Sequence, residues 1–182
     1  MIEDAVLLWK YKHGSRDALH RIYEKYRSDL LTLAVHLSGN IHSAEDIVQD
    51  VFISFVQTVD KFHLTGTLRG YLSTCVANRS RDYIKKIKRQ QLALNNENEK
   101  MISETNNPIH LLIRDEELLR LSIAMTQLPY LQREAIVLYL HGGLKFKQIA
   151  KYQKVPIKTA QSRFRCGLEK LRSIFNGEKK NV

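Results

Sequence analysis

The 182-residue sequence predicts an all-α protein, two small helical domains joined by a flexible linker. Three observations lead there. Apolar residues recur at spacings of three and four along most of the chain, and no stretch sustains the alternation of a strand. The 8 glycines and 3 prolines are few and cluster at breaks between those stretches. A segment rich in Asn and Glu, from about Gln91 to Pro108, interrupts the pattern with few core residues. It divides a first domain (1–90) from a second (109–176), with 177–182 as a polar tail.

In chain order, the first strong helix lies between Ser15 and Gly39-Asn40. The Ser15 hydroxyl is a candidate N-cap, and glycine readily takes the left-handed backbone that ends a helix. Ala18, Leu19, Ile22, Tyr23, Tyr26, Leu30, Leu33, Ala34 and Leu37 form its apolar stripe. "HSAEDIVQDVFISFVQTVDKF" follows, with Ser43 as its expected cap and Asp46 three residues on. Its buried face is Ala44, Ile47, Val48, Val51, Phe52, Phe55 and Val59. A break around Gly66 and Gly70 leads into "YLSTCVANRSRDYIKKIKR", with Leu72, Val76, Tyr83, Ile84 and Ile87 inward.

After the linker, Ile109–Leu128 reads as an amphipathic helix. "LPYLQREAIVLYLHGG" begins with Pro129 near a first turn and ends on Gly142-Gly143. "KFKQIAKYQ" is a short helix, and "KVPIKTAQSRFRCGLEKL" holds the last one. There Ala160, Phe164, Gly167, Leu168 and Leu171 share one side, while Lys158, Thr159, Gln161, Ser162 and Arg165 share the other.

Charge narrows the function. The 29 Lys+Arg against 19 Asp+Glu give +10 and a pI near 9.6, which favours a polyanionic partner. The bases form two clusters. One holds Arg69, Arg79, Arg81, Lys85, Lys86, Lys88 and Arg89; the other runs from Lys145 through Lys158, Arg163 and Arg165 to Arg172. Lysines and arginines on such faces displace counterions from phosphates and bind nucleic acid with strong salt dependence.

Catalysis is not expected. "GTLRG" lacks the Lys-Ser/Thr of a phosphate-binding loop, the seven histidines have no paired ligand spacing, and no Ser or Cys lies in a nucleophile motif. Neither a metal nor a cofactor is expected, nor a small-molecule substrate. Cys75 and Cys166 stand far apart in helical contexts and are expected reduced. "AVLLW" is too short to span a bilayer, and acids precede it where a signal peptide needs bases, so a cytoplasmic location is expected.

"FKQIAKYQKVPIKTAQSRFRCGL" has the layout of a helix–turn–helix. Phe146, Ile149 and Ala150 bury the first helix, Val155 is the apolar residue of the turn, and Ala160 and Phe164 seat the second. The small Ala150 lets the two helices cross closely. A second helix so placed can lower its first turns into a major groove. This pattern alone also fits a stand-alone transcriptional regulator or a protein-binding adaptor.

Together with "AEDIVQDVF" and the Asn78-x-x-x-Asp82 spacing, these residues resemble the sigma-70 family of bacterial RNA polymerase specificity subunits. The size and layout resemble its small extracytoplasmic-function (ECF) group. The likeness runs from about Ala18 to Leu171 and departs from the pattern in three places. Tyr71 stands where the family usually has Trp, Lys154 stands at the turn Gly, and Cys166 stands near a customary Arg.

The resemblance implies an ECF-type sigma factor that directs core polymerase to promoters and initiates transcription. It implies that Glu45, Asp46, Gln49 and Asp50 dock on the clamp helices of the largest subunit, with the flap as a further contact. Phe62, His63, Thr65 and Tyr71 would hold an extruded −10 base, with Asn78, Arg79, Arg81, Lys85, Lys86 and Arg89 tracking the melted strand. Asp82 would orient Arg79 or Arg81, or brace the helix. Lys158, Thr159, Gln161, Ser162, Arg163 and Arg165 would read the −35 element. The linker would pass through the polymerase, and an anti-sigma factor is an expected partner.

Overall fold

A computed structural model describes residues 2–59, 66–95 and 116–178. They form eight helices: α1 (Ile2–Lys12), α2 (Arg16–Ser38), α3 (Ile41–Thr58), α4 (Leu68–Asn95), α5 (Glu116–Thr126), α6 (Tyr130–Leu140), α7 (Phe146–Gln153) and α8 (Ile157–Glu178). No strand occurs among the described residues, in keeping with the all-α expectation.

α2 is the central element of the first half and packs on α1, α3 and α4. Its ends are capped as the sequence implies. The Ser15 hydroxyl accepts from the Ala18 amide at 3.4 Å, and Gly39, at φ 75°, donates to the Val35 carbonyl at 2.8 Å. Its stripe is buried from Ala18 to Leu37, with Leu19 and Tyr23 half-buried at the edge.

The cap of α3 differs from expectation. Asn40, in extended backbone, is the N-cap, and its side-chain oxygen accepts from the Ser43 amide at 3.0 Å. Ser43 lies inside the first turn, and its hydroxyl shares a hydrogen bond with the Tyr83 hydroxyl of α4. Asn and Ser are equally good caps, so the one that precedes the apolar period takes the position. The expected face of α3, from Ala44 to Val59, is buried throughout.

Two further elements depart from the sequence reading. α1 carries only a short apolar run in the sequence, yet it is a helix in which Leu7 and Leu8 are buried and Asp4 is only 6% exposed. The Lys25 ammonium of α2 donates to Asp4 at 2.8 Å and also to Glu3. Burial alone would raise the Asp4 carboxyl; hydrogen bonds from Lys25 and Tyr26 outweigh it and hold the group below its ordinary range. α4 runs on to Asn95, so residues 91–95 of the expected linker are helical. Gln, Leu and Ala there are good helix formers. Residues 96–115, including the rest of that linker and the start of the helix expected from Ile109, lie outside the described residues.

In the second half α8 packs on α6 and α7. Ala150 and Ala160, both almost fully buried, leave room for the α7–α8 crossing. Tyr139, Phe146 and Phe164 form an aromatic cluster with centroids 4.7, 4.9 and 5.3 Å apart. A Cβ at Gly167 would come within 2.7 Å of Ile136 Cδ1, so this glycine permits the close approach of α8 to α6. Leu168, expected on the buried side, is 38% exposed because it lies at the margin of that stripe.

The α7–α8 turn places Lys154 at φ 55°, ψ 47°, in the left-handed region. It is the one non-glycine with positive φ among the described residues. Its amide donates to Lys151 and Val155's to Ala150, closing α7. A side chain in this conformation costs about 1–2 kcal/mol.

The two halves meet. α2 and α4 pack on α6, and the buried apolar residues of both halves form one continuous core. His36 and His141 face each other across this seam with centroids 5.9 Å apart. Burial, with His141 and Arg133 nearby, depresses the His36 pKa from 6.5 to about 4.

Two expectations follow for stability. Lys154→Gly should raise it by about 0.5–1 kcal/mol, since relief of strain exceeds the added freedom of the unfolded chain, whereas Lys154→Val should lower it. Urea midpoints measure both. His36 stays neutral when folded but takes up a proton near pH 6.5 when unfolded, so its contribution is full above that pH and declines toward pH 4. The stability loss between pH 6.5 and 4 should therefore shrink in His36→Leu, read from urea midpoints across that range.

Candidate nucleic-acid and docking interface

α3 turns its apolar side to α2 and α4 and leaves the other side open. Glu45, Asp46, Gln49 and Asp50 are all exposed there. Spacings of three and four in "AEDIVQDVF" bring this about, since the acids fall between the buried Ala44, Ile47, Val48 and Val51. Glu45 lies 3.9 Å from His42, and Asp50 pairs with Arg79 of α4 at 3.5 Å. Beside this face a groove of about 510 Å³ opens between α2 and α3, lined by Leu19, Tyr23, Gln49, Phe52, Ile53 and Val56. The face therefore combines carboxylates with accessible apolar surface.

Phe62, His63 and Thr65 lie outside the described residues. Tyr71 is half-buried with its ring 6.3 Å from Phe55. Burial, together with Cys75, raises its hydroxyl pKa, and burial raises the Cys75 thiol as well. Cys75 and Cys166 are both free thiols.

Further along α4, Asn78, Lys85, Lys86 and Arg89 are exposed on the outer face. Arg79 donates to the Ser54 hydroxyl at 2.9 Å as well as pairing with Asp50, so it is braced against α3. Asp82 does not orient either arginine; it pairs with Lys85 one turn on at 3.4 Å and so braces the helix.

Arg81 takes a different place from its neighbours. It points into the seam and pairs with Glu134 of α6: Nη2 donates to both carboxylate oxygens, at 2.8 and 2.7 Å, and Nε donates to Oε1 at 3.3 Å. Glu134 is fully buried. Its carboxylate also accepts from Gln153 at 2.8 Å and from the Tyr152 hydroxyl at 3.4 Å. Gln153 in turn accepts from Arg163 at 2.8 Å, so an expected −35 residue joins the same chain of bonds. The Arg81 guanidinium lies 4.6 Å from the Tyr152 ring centre.

Sequence reasoning missed Glu134, Tyr152 and Gln153. One signal was available: Glu134 is one turn from both Tyr130 and Leu138, on the inward side of α6. A carboxylate at such a position demands a buried partner.

On α8, Lys158, Gln161 and Arg165 are exposed, and Thr159 and Ser162 are half-exposed between them. Arg165 approaches Glu169 at 3.9 Å, and Ser162 lies 3.9 Å from the Cys166 sulfur. The face is thus cationic and polar, set at the start of a helix whose back is buried by Ala160 and Gly167. Among the described residues no cluster of three or more metal-type ligands is gathered, and no helix is long and apolar enough to cross a membrane.

Comparison with known proteins accords with this arrangement. Residues 22–90 match the Sigma-70 region 2 family. The chain is 31% identical over 144 residues to the ECF RNA polymerase sigma factor SigE of Mycolicibacterium smegmatis, an alignment covering 79% of this chain and 56% of that protein. It thus spans little more than half of that relative's length. It is 26% identical over 170 residues to the ECF RNA polymerase sigma factor SigW of Bacillus subtilis, covering 88% and 90% of the two chains. Two solved structures share the fold. The sigma factor RpoE in complex with the anti-sigma factor NepR from Bartonella quintana has a TM-score of 0.69 at 22% identity, covering 86% of this chain and 96% of that one. CnrH in complex with the cytosolic domain of CnrY has a TM-score of 0.70 at 19% identity, covering 96% and 98%.

The exposed face of α8 should behave as a groove-reading surface. Lys158→Ala and Arg165→Ala should weaken duplex binding on all sequences and each lower the salt slope by about 1. Gln161→Ala should cost about 1–3 kcal/mol on the preferred sequence only. Fluorescence anisotropy across a salt series distinguishes the two effects. Residue pattern, fold and relatives converge: residues 22–90 match Sigma-70 region 2, and most of the chain is similar to ECF RNA polymerase sigma factors.

Proposed function

We propose that this chain is an ECF-type sigma factor that brings core RNA polymerase to its promoters and helps open them. The observation that carries this reading is the exposed acidic row of α3, Glu45, Asp46, Gln49 and Asp50, lying within the stretch that matches region 2. A row of carboxylates on a basic chain is unsuited to DNA and well suited to a protein partner. The clamp helices of the largest polymerase subunit are that partner, and the flap receives the second half.

The division of labour follows from where the cations lie. Residues 1–90 dock and melt. Phe62, His63, Thr65 and Tyr71 receive an extruded −10 base, and Asn78, Arg79, Arg81, Lys85 and Arg89 hold the melted strand by its phosphates. Residues 109–176 read the −35 element through Lys158, Thr159, Gln161, Ser162, Arg163 and Arg165. The segment between them, 91–108, threads the polymerase. The work is done by binding energy, with no catalytic group of the chain's own, and takes place in the cytoplasm. The solved neighbours are complexes of a sigma factor with NepR and of CnrH with CnrY, which supports an anti-sigma partner here as well.

Tagged wild-type protein should co-purify with bacterial core polymerase, and Asp46→Arg should lose most of that binding while keeping its helical content. Wild-type protein that binds promoter duplex but not core polymerase would instead make the chain a stand-alone regulator.

A further inference from the structure

We propose that the Arg81–Glu134 pair is a clasp that holds the two halves in a closed state and withholds Arg81 and Arg163 from nucleic acid. The inference rests on the reading of these two arginines as phosphate contacts.

The geometry is specific. Arg81 comes from α4 and Glu134 from α6, so the pair spans the seam. Arg81 Nη2 makes short contacts with both Glu134 oxygens, Nε adds a longer one at 3.3 Å, and Glu134 has no exposure at all. The Arg81 side chain retains 29% exposure, so its guanidinium reaches the surface only in part. Behind the carboxylate, Tyr152 and Gln153 complete its hydrogen bonds, and Arg163 is anchored on Gln153. One buried carboxylate thus engages, directly or through one amide, a cation from each expected promoter-reading surface. A second tie spans the seam nearby. Arg69 of α4 pairs with Asp29 of α2 at 2.9 Å and donates to the His141 carbonyl at the end of α6 at 3.0 Å.

Such a clasp is reversible for a physical reason. A buried ion pair gains Coulomb energy but loses the hydration of both ions, and the two nearly cancel. Separating the halves rehydrates Glu134 and frees Arg81 to meet a phosphate, a partner of the same charge. Removing only the carboxylate has a different effect, because it leaves Arg81 at a closed seam with no anion. The closed state is then disfavoured relative to the open one. Opening and phosphate binding are therefore coupled: DNA competes with Glu134 for the same guanidinium, and whatever opens the seam raises DNA affinity.

The test uses the full chain without polymerase, so its outcome is separate from that of the docking experiment. Small-angle X-ray scattering reads the radius of gyration. Anisotropy on a random-sequence duplex across a salt series reads affinity and salt slope. Circular dichroism reads helix content. Glu134→Gln should expand the molecule, bind the duplex several-fold more tightly at low salt, and steepen the salt slope by about 1–2 as Arg81 and Arg163 become available. Adding Arg81→Ala to it should remove about one unit of that gain while leaving the molecule expanded. If Glu134→Gln does not fold, Arg69→Ala decides the matter. It leaves the buried network intact, cuts the second tie, and should give a smaller expansion with a smaller gain in affinity. Wild-type dimensions and slope in whichever of these variants folds would overturn the proposal. So would expansion without any steepening of the slope, since the arginines would then not have been withheld.

Discussion

The burial of α2 is the constraint on which the rest depends. Its stripe from Ala18 to Leu37 is too wide to be covered by one neighbour, and it packs on α1, α3, α4 and α6. A helix with so broad an apolar surface must be enclosed. Enclosing it fixes which side of α3 and α4 turns inward, and therefore which side stays in water. The acidic row of α3 and the outer cations of α4 are consequences of that choice. The same helix reaches the second half through α6, so the seam is an extension of the first core.

The charges divide into three kinds by environment. Lys158, Arg165, Lys86 and Arg89 are exposed and interact through water, where salt screens them. Arg79 and Asp50 form an exposed tie between α3 and α4, of the sort that contributes little to stability but orients a side chain. Glu134 is fully buried in the seam, with Arg81 partly exposed at its edge, so the carboxylate must be paired once the seam is shut. Membership of one basic cluster in the sequence therefore does not imply one role in space. Arg81 has the same helix, charge and spacing as its neighbours, yet rotation about α4 carries it inward while Arg79 and Lys85 stay outside.

The second half shows how a turn is built without its customary residue. The left-handed position between α7 and α8 is held by Lys154. The strain is tolerated because Ile149, Ala150 and Ala160 close the crossing on one side and Tyr139, Phe146 and Phe164 fill the other. Packing over-determines the turn, so backbone preference does not decide it. The turn therefore forms with Lys154 in the left-handed position that glycine more often holds.

The sequence by itself determined the helices and the faces they bury, because apolar period and caps are local properties written at spacings of three and four. Ser15, Gly39 and the stripes of α2 and α3 were legible for that reason. It also determined which residues of α3 and α8 remain in water, since an exposed face is what an apolar stripe leaves over. Local choices between near-equal signals were less legible, as at Asn40 and Ser43, where two good caps stand within one turn. α1 was obscured because its apolar run is short and its acid is satisfied by a lysine in another helix. Only the tertiary structure decided the seam. Arg81 and Glu134 are separated by 53 positions, and no periodicity links them. Their pairing follows from the burial of the Glu134 carboxylate, which exists only once α6 has packed on α2 and α4.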